Sequence, residues 1–154
     1  MTIRCSIPGE PHAQARGRAV RVGAHVRVVD PSESRSWKGS AQVHLLAARD
    51  AAGHAEPLTG PLSVRILAVF ACPRSDYRKT APRTRRLYTG RKDADNIAKA
   101  VMDAGNGTVW LDDRQVALLE VRAIVGAQGE APCVVVRIDP MADAQPEPWA
   151  AVEL

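Results

Sequence analysis

Five aspartates stand in the short stretch between residues 92 and 116, directly after a strongly basic segment. Four of them form two close pairs, Asp93 with Asp95 and Asp112 with Asp113. Magnesium prefers carboxylate oxygens and keeps part of its water shell, so a phosphodiester-cleaving site needs a few clustered carboxylates rather than a closed protein cage. The acidic stretch therefore indicates divalent-cation chemistry on a polyanion.

The spacing of Asp93 and Asp95 limits how the two could cooperate. Residues separated by one position in a regular helix point roughly 200° apart and cannot share an ion. We therefore expect Asp93 at or just before a helix N-terminus, in non-helical geometry, and Asp95 in the first turn. Both carboxylates could then lean toward the same point.

The residues that follow predict this helix. Apolar side chains recur at the i, i+3, i+4, i+7 spacing of a buried stripe, and the glycines around Asn106 supply a stop. The members of this stripe are Ile97, Ala100, Val101 and Ala104. Asp95, Lys99 and Asp103 lie on the opposite face. A structural alternative stays open, because aspartates also favour helix starts and form solvated pairs with lysine.

The second acidic pair follows the glycine turn closely, so a chain reversal could return another carboxylate toward the helix start. Crowded carboxylates raise one another's pKa unless a cation is present, which favours a ligand role. The alternative is that Asp112 or Asp113 caps a single helical turn beginning at Arg114. We expect Asp113 to be the ligand.

Residues 73 to 92 hold eight Lys or Arg against one Asp, and the segment is interrupted by prolines and polar residues. Such a composition is typical of an exposed loop that contacts phosphates, although an ordinary solvated loop would look similar. A smaller basic group precedes a hairpin expected through Gly23. The predicted nucleic-acid contacts are Arg16, Arg18, Arg83, Arg85, Arg86, Arg91 and Lys92.

The rest of the chain predicts a scaffold of the α+β class. From Leu62 to Phe70 every second residue is apolar, as in a strand with one face well buried, and residues 37 to 52 show helical spacing that ends at Gly53. Two further alternating segments after residue 116 look like a closing hairpin. We expect one small mixed sheet of about five strands with two main helices on it, in the order β-β-α-β-α-β-β.

Composition sets the broader limits. A chain of 154 residues is normally one domain, which we place at residues 1–139, followed by an acidic, proline-containing tail at 140–154. It has no long uncharged span, and residues 1–9 lack a signal core, so we expect a cytoplasmic protein without a membrane segment. Its three cysteines have no C-x-x-C spacing, which favours free thiols in a reducing compartment.

Two motifs together carry a family resemblance. The run Asp93-Ala94-Asp95-Asn96 with Lys99 and Asp103, followed by Trp110-Leu111-Asp112-Asp113-x-Gln115-Val116, resembles the signature of the RusA-type Holliday-junction resolvases. These are crossover-junction endodeoxyribonucleases of prophage and bacterial origin. The likeness is strongest over residues 91 to 125.

The resemblance implies a set of roles. Asp93, Asp95 and Asp113 would bind Mg²⁺, with Mn²⁺ as a substitute, and Lys99 would face the reacting phosphate. Asp112 matches an acidic position beside the metal site and is a further candidate ligand. The family implies a homodimer that resolves four-way DNA junctions by paired nicks in recombination and repair, near the nucleoid. The alternatives are a flap or other branched-DNA nuclease with the same site, and a basic nucleic-acid-binding protein without catalysis.

Overall fold

A computed structural model describes residues 1–14, 17–29 and 31–142 of the chain. Arg16 and residues 143–154, most of the predicted tail, lie outside the described residues. Arg18 is described by its backbone alone. No helix within the described ranges is both long and apolar enough to cross a lipid bilayer.

The fold is built on one mixed five-stranded sheet. In chain order its strands are β1 (Ile3–Pro8), β4 (Leu62–Phe70), β5 (Arg86–Leu87), β6 (Val116–Val125) and β7 (Cys133–Pro140). The spatial order is β1-β7-β4-β6-β5, with β4 and β6 parallel and the other neighbours antiparallel. The remaining two strands, β2 (Arg18–Val22) and β3 (His25–Val29), form a separate hairpin that turns at Gly23 as predicted.

The predicted closing hairpin of the last two strands is wrong. β6 and β7 follow each other along the chain, but β4 lies between them and pairs with both. β4 can occupy this position because eight of its nine residues are buried or half-buried, with only Arg65 exposed. A strand buried on both faces suits the middle of a sheet.

Two helices cover one face of the sheet, as the sequence predicts. Helix α1 spans Ser32–Ala51 and contacts β1, and helix α2 spans Ala94–Gly105 and contacts α1 and β6. The core lies between the helices and the strand residues that face them, and it includes the fully buried side chains of Leu45, Val64 and Val101. The α+β class and the two main helices are confirmed.

The direction of α2 over the sheet decides where the acidic residues lie. Ile97 in its first turns packs with Ala68 and Phe70, near the C-terminal end of β4. At the C-terminal end of α2, Gly105 lies against Trp110. Trp110 is followed directly by the turn before β6. Helix α2 therefore runs antiparallel to β4, from the Phe70 end of that strand toward its Leu62 end.

Candidate active site

Asp93 and Asp95 stand at the start of α2 in the predicted geometry. Asp93 is the N-cap, with extended backbone angles of φ −70° and ψ 142°, and Asp95 lies in the first turn. Both residues are exposed, and the Asp93 carboxylate makes no capping hydrogen bond to the helix backbone. Its side-chain hydrogen bond in the described part of the chain is a long one, accepted from the Asn96 side-chain amide at 3.5 Å. These carboxylates are therefore available to a ligand.

The backbone at this helix start is anchored from two sides. The Lys92 ammonium donates to the Pro11 carbonyl at 2.7 Å and lies 5.6 Å from the centre of the Phe70 ring. The backbone N–H of Gln14 donates to the Asn96 carbonyl at 2.9 Å. Because the loop after β1 and the end of β4 both hold it, the start of α2 is fixed relative to the sheet.

Tyr88 completes the same anchor. Its ring stacks on Phe70 with the centroids 3.8 Å apart, and its backbone N–H donates to the Ala123 carbonyl of β6 at 3.0 Å. Tyr88 is half-buried and packs against the core.

Lys99 lies one turn after Asp95, and its residue is exposed. Residues four apart in a helix are neighbours on one face, so Asp95 and Lys99 share the face directed away from the core. Lys99 takes part in no ion pair within the described residues. Its ammonium is therefore free to meet an anion near the helix start.

The second acidic pair is organised differently. A single 3₁₀ turn at Asp113–Gln115 precedes β6, and Asp112 caps it by accepting a hydrogen bond from the Arg114 backbone N–H at 2.9 Å. The Arg114 guanidinium also donates to both Asp112 oxygens, at 2.9 and 2.8 Å. This guanidinium holds the pKa of the Asp112 carboxyl well below its usual range. Asp112 thus serves as a cap, while the residue of Asp113 is exposed.

Gln115 fixes this turn and was named in the sequence only as part of a motif. Its side-chain oxygen accepts from the backbone N–H groups of Leu111 and Asp112, at 2.8 and 3.0 Å. Its amide donates to the carbonyls of Leu58 and Gly60, which lead into β4. The spacing of Asp112 and Gln115 is that of a capping box, which is the signal that could have identified the role.

The turn that carries Asp113 lies at the far end of the sheet from Asp93. Val116, which follows the turn, pairs with Leu62 at the beginning of β4, whereas α2 begins beside Phe70 at its end. The chain reversal brings the turn back into contact with α2. In the described ranges no three His, Cys, Asp or Glu side chains are grouped closely enough to hold a metal ion. The described chain therefore supplies suitable ligand atoms without gathering all three predicted ligands.

The basic segment uses part of its charge to hold its own shape. Arg85 donates to both oxygens of Glu130 beyond β6, and Arg86 pairs with Asp76 within the segment. Arg91, directly before the site, is exposed and forms no ion pair in the part of the chain that the structure describes. The predicted nucleic-acid contacts are thus of two kinds, cations that brace the loop and cations that face solvent.

His12 lies behind the start of α2. Its ring stacks on Trp37 of α1 with centroids 5.9 Å apart, and its Nε2 lies 2.8 Å from the Ser34 hydroxyl. Burial and the nearby Lys92 lower the pKa of His12, and Glu33 opposes them. His12 therefore contributes to packing as a neutral ring.

Comparison with known proteins places this geometry in context. A family model described as "Endodeoxyribonuclease RusA" matches residues 8–139. A protein of Bacillus subtilis (strain 168), described as "Uncharacterized protein YqaN", is 31% identical over 124 residues, which cover 77% of this chain and 84% of that protein. The match includes both acidic segments, the basic segment and all strands of the sheet except most of β1 and the last residue of β7.

Proposed function

Since the chain belongs to the RusA family of endodeoxyribonucleases, we propose that it is a magnesium-dependent, structure-selective DNA endonuclease that resolves four-way junctions by paired symmetric nicks. The observation that carries this proposal is the start of α2. There, two exposed carboxylates without cationic partners in the described structure directly follow a segment rich in solvent-facing cations.

The charges around α2 suit a phosphodiester. Arg91 and the exposed Arg74, Arg78 and Lys79 would grip the DNA backbone, whose affinity for a protein comes largely from such phosphate contacts. Lys99 would oppose the negative charge that grows on the phosphate as the bond breaks. A divalent ion held by carboxylates would supply an activated water and neutralise phosphate oxygens. Asp93 and Asp95 are the proposed ligands in α2, and Asp113 is the third.

Asp112 is better explained as a cap than as a ligand. Its two oxygens already accept three hydrogen bonds from Arg114, and a metal ion would have to compete with that guanidinium. We therefore assign the metal role in the second acidic segment to Asp113 alone.

A four-way junction has approximate two-fold symmetry, so paired nicks on opposing strands are most simply made by a two-fold dimer with one site per subunit. This reasoning, together with the family, supports a homodimer acting in recombination and repair. The same site on a protein with a different DNA path would cut flaps or other branches instead.

A substrate panel tests the proposal. The full chain is mixed with a synthetic four-way junction, a flap, a linear duplex and a single strand of matched sequence, with Mg²⁺, with Mn²⁺ or with a chelator. We expect symmetric nicks in the junction with either metal and none with the chelator. Preferential cleavage of the flap would show that the substrate is a flap rather than a four-way junction. Metal-independent DNA binding without any cleavage would instead support a DNA-binding protein.

A further inference from the structure

The turn between β6 and β7, residues 126–132, holds the middle of the basic segment. The backbone N–H of Gln128 donates to the Arg83 carbonyl at 2.9 Å, and that of Gly129 donates to the Tyr77 hydroxyl at 3.2 Å. Regular structure within the described basic segment is limited to one 3₁₀ turn and the two residues of β5. The middle of the segment therefore takes its shape from the turn beside it.

The side chain of Gln128 bonds to the backbone of Arg78 in both directions. Its oxygen accepts from the Arg78 N–H at 2.9 Å, and its amide donates to the Arg78 carbonyl at 3.2 Å. A primary amide can do both because it carries an acceptor and a donor. Since the backbone of Gln128 also bonds to Arg83, this one residue closes residues 78–83 into a loop, which we call the loop tip.

The loop tip has a conformation that its own residues do not favour. Ala81 is not a glycine, yet its φ is 148°. Residues with a side chain rarely adopt a positive φ, and such a backbone persists where the surrounding contacts determine it. The bonds from Gln128 to the two ends of the loop tip are contacts of this kind.

Two cations at the start of the loop tip are free to meet a partner. Arg78 and Lys79 are exposed, and neither takes part in an ion pair among the residues that the structure describes. Arg85, beyond the loop tip, is paired with Glu130. The turn between β6 and β7 thus fixes the backbone of Arg78 while its guanidinium stays in solvent.

The loop tip and the start of α2 are positioned from the same end of β6. The turn that carries Gln128 follows the C-terminal residue of β6, Val125, and the short strand β5 pairs with Ile124 and Val125. Tyr88, between β5 and α2, donates its backbone N–H to the Ala123 carbonyl of β6. The distance from the loop tip to the acidic helix start is therefore set by the sheet.

We propose that Gln128 is a positioning residue for DNA, which holds the loop tip so that Arg78 and Lys79 meet phosphates at a fixed place relative to Asp93 and Asp95. This inference rests on the proposed function for the identity of the partner as DNA. A loop that is ordered before binding loses less conformational entropy when it binds. Gln128 therefore raises the affinity for DNA without adding a charge.

Limited proteolysis tests the bracing of the loop tip without DNA. Trypsin cuts after Lys and Arg, and cleavage of a folded chain requires local opening. Gln128→Ala should be cut after Arg78 and Lys79 about tenfold faster than wild type, because the opened state is more populated. Tyr77→Phe, which removes the hydroxyl acceptor of the brace, should give a smaller increase. Gln42→Ala, the same replacement in α1, is the matched control and should be cut at the wild-type rate.

Junction binding tests the positioning role. Because Gln128→Ala changes no charge, the Kd without metal should rise about tenfold while the slope of log Kd against log salt stays at the wild-type value. Lys79→Gln removes a phosphate contact and should lower the magnitude of that slope by about 1. In single-turnover nicking, Gln128→Ala should need about tenfold more enzyme for half-maximal rate, yet reach the wild-type maximal rate within about twofold.

The possible failures are distinguishable. Wild-type rates of tryptic cleavage after Arg78 and Lys79 in both Gln128→Ala and Tyr77→Phe would overturn the bracing. Unchanged junction affinity in Gln128→Ala, or a salt slope reduced as in Lys79→Gln, would overturn the positioning role. Wild-type protein that binds no junction would reject the proposed function, and the tryptic result for the loop tip would still stand.

Discussion

The two acidic segments each carry a pair of aspartates but use their carboxylates differently. Asp112 accepts hydrogen bonds from the backbone and side chain of Arg114, which together close the turn before β6. Asp93 occupies the corresponding N-cap position of α2, yet its carboxylate bonds to no helix N–H. Both caps are aspartates, but only Asp112 is committed to local structure.

This difference separates a structural aspartate from a functional one. A carboxylate at a helix start normally gains free energy by capping an N–H group. At Asp93 the backbone is held by other contacts, from Lys92 to Pro11 and from Gln14 to Asn96. Because those contacts position the helix, the carboxylate of Asp93 is left for chemistry.

The largest expected effect is on nicking activity, when one carboxylate charge is removed from each acidic segment in turn. Asp93→Asn should lower junction nicking by at least about 100-fold, since a metal ligand is lost, whereas Asp112→Asn should lower it less than about tenfold. Binding of the junction in the absence of metal should be equal or tighter for Asp93→Asn, because negative charge near the DNA is removed. Single-turnover nicking assays and gel-shift titrations measure the two quantities.

The comparison fails if the two variants lose activity equally. Asp50→Asn, at the exposed end of α1 and outside both acidic segments in the sequence, is the control for a general effect of lost charge and should behave as wild type.

The two acidic segments are connected through the packing of the C-terminal end of α2 against Trp110, and Gly105→Ala tests this packing. A Cβ at Gly105 would lie 2.2 Å from the ring of Trp110, which is fully buried, so the ring or the helix end must shift. We expect a loss of about 1–3 kcal/mol in the free energy of unfolding, as for other overpacked sites. Urea denaturation measures it.

Gly39→Ala is the matched control for that substitution. Gly39 lies in α1 with open space around its Cα, so alanine should raise the stability by about 0.5–1 kcal/mol. A destabilised Gly39→Ala, or a Gly105→Ala variant of unchanged stability, would contradict the close packing of Gly105 against Trp110.

A smaller effect, on folding stability, should distinguish the two N-cap aspartates. Asp112→Ala removes a capping bond and should cost about 1 kcal/mol, or a Tm decrease of about 2–4 °C, whereas Asp93→Ala should cost less than half as much. Differential scanning calorimetry without metal makes the measurement. A larger loss for Asp93→Ala would show that its carboxylate is structural after all.

The smallest expected effect is a pH dependence of the free energy of unfolding that is caused by His12, which lies behind the start of α2. The pKa of His12 is lowered in the folded protein, so as the pH falls below about 6.5 the unfolded chain takes up a proton that the folded chain resists. Stability should therefore decrease with falling pH through this window, and the decrease should be shallower in His12→Gln. Urea denaturation at pH 7.5 and pH 5.5 compares the slopes, and equal slopes would exclude His12 as the cause.

Local patterns predicted the helix and its acidic start well. The apolar stripe of α2 and the unusual spacing of Asp93 and Asp95 together require an extended residue followed by a helix, and the structure has both. The strands were also visible from their alternation. Local patterns do not record which strands are neighbours, so the insertion of β4 between β6 and β7 was missed.

The position of Asp113 was harder to predict for the same reason. Its distance from Asp93 depends on the direction of α2 over the sheet, which long-range packing of Ile97 and Trp110 determines. The roles of the basic residues also depend on distant partners, since Arg85 is held by Glu130. The short strand β5 within the basic segment has only two residues and gave no periodic signal.

The arrangement of the outer strands has a consequence for the synthesis of the protein. Among the described strands of the sheet, β1 is synthesised first, yet its partner there is β7, which is synthesised last of these strands. The sheet therefore cannot close while the chain grows, and such non-local pairing is slow to form. Until Cys133–Pro140 emerges, one side of β4 and the whole of β1 lack the strand that pairs with them in the described sheet, so a nascent chain halted before that point cannot form this sheet.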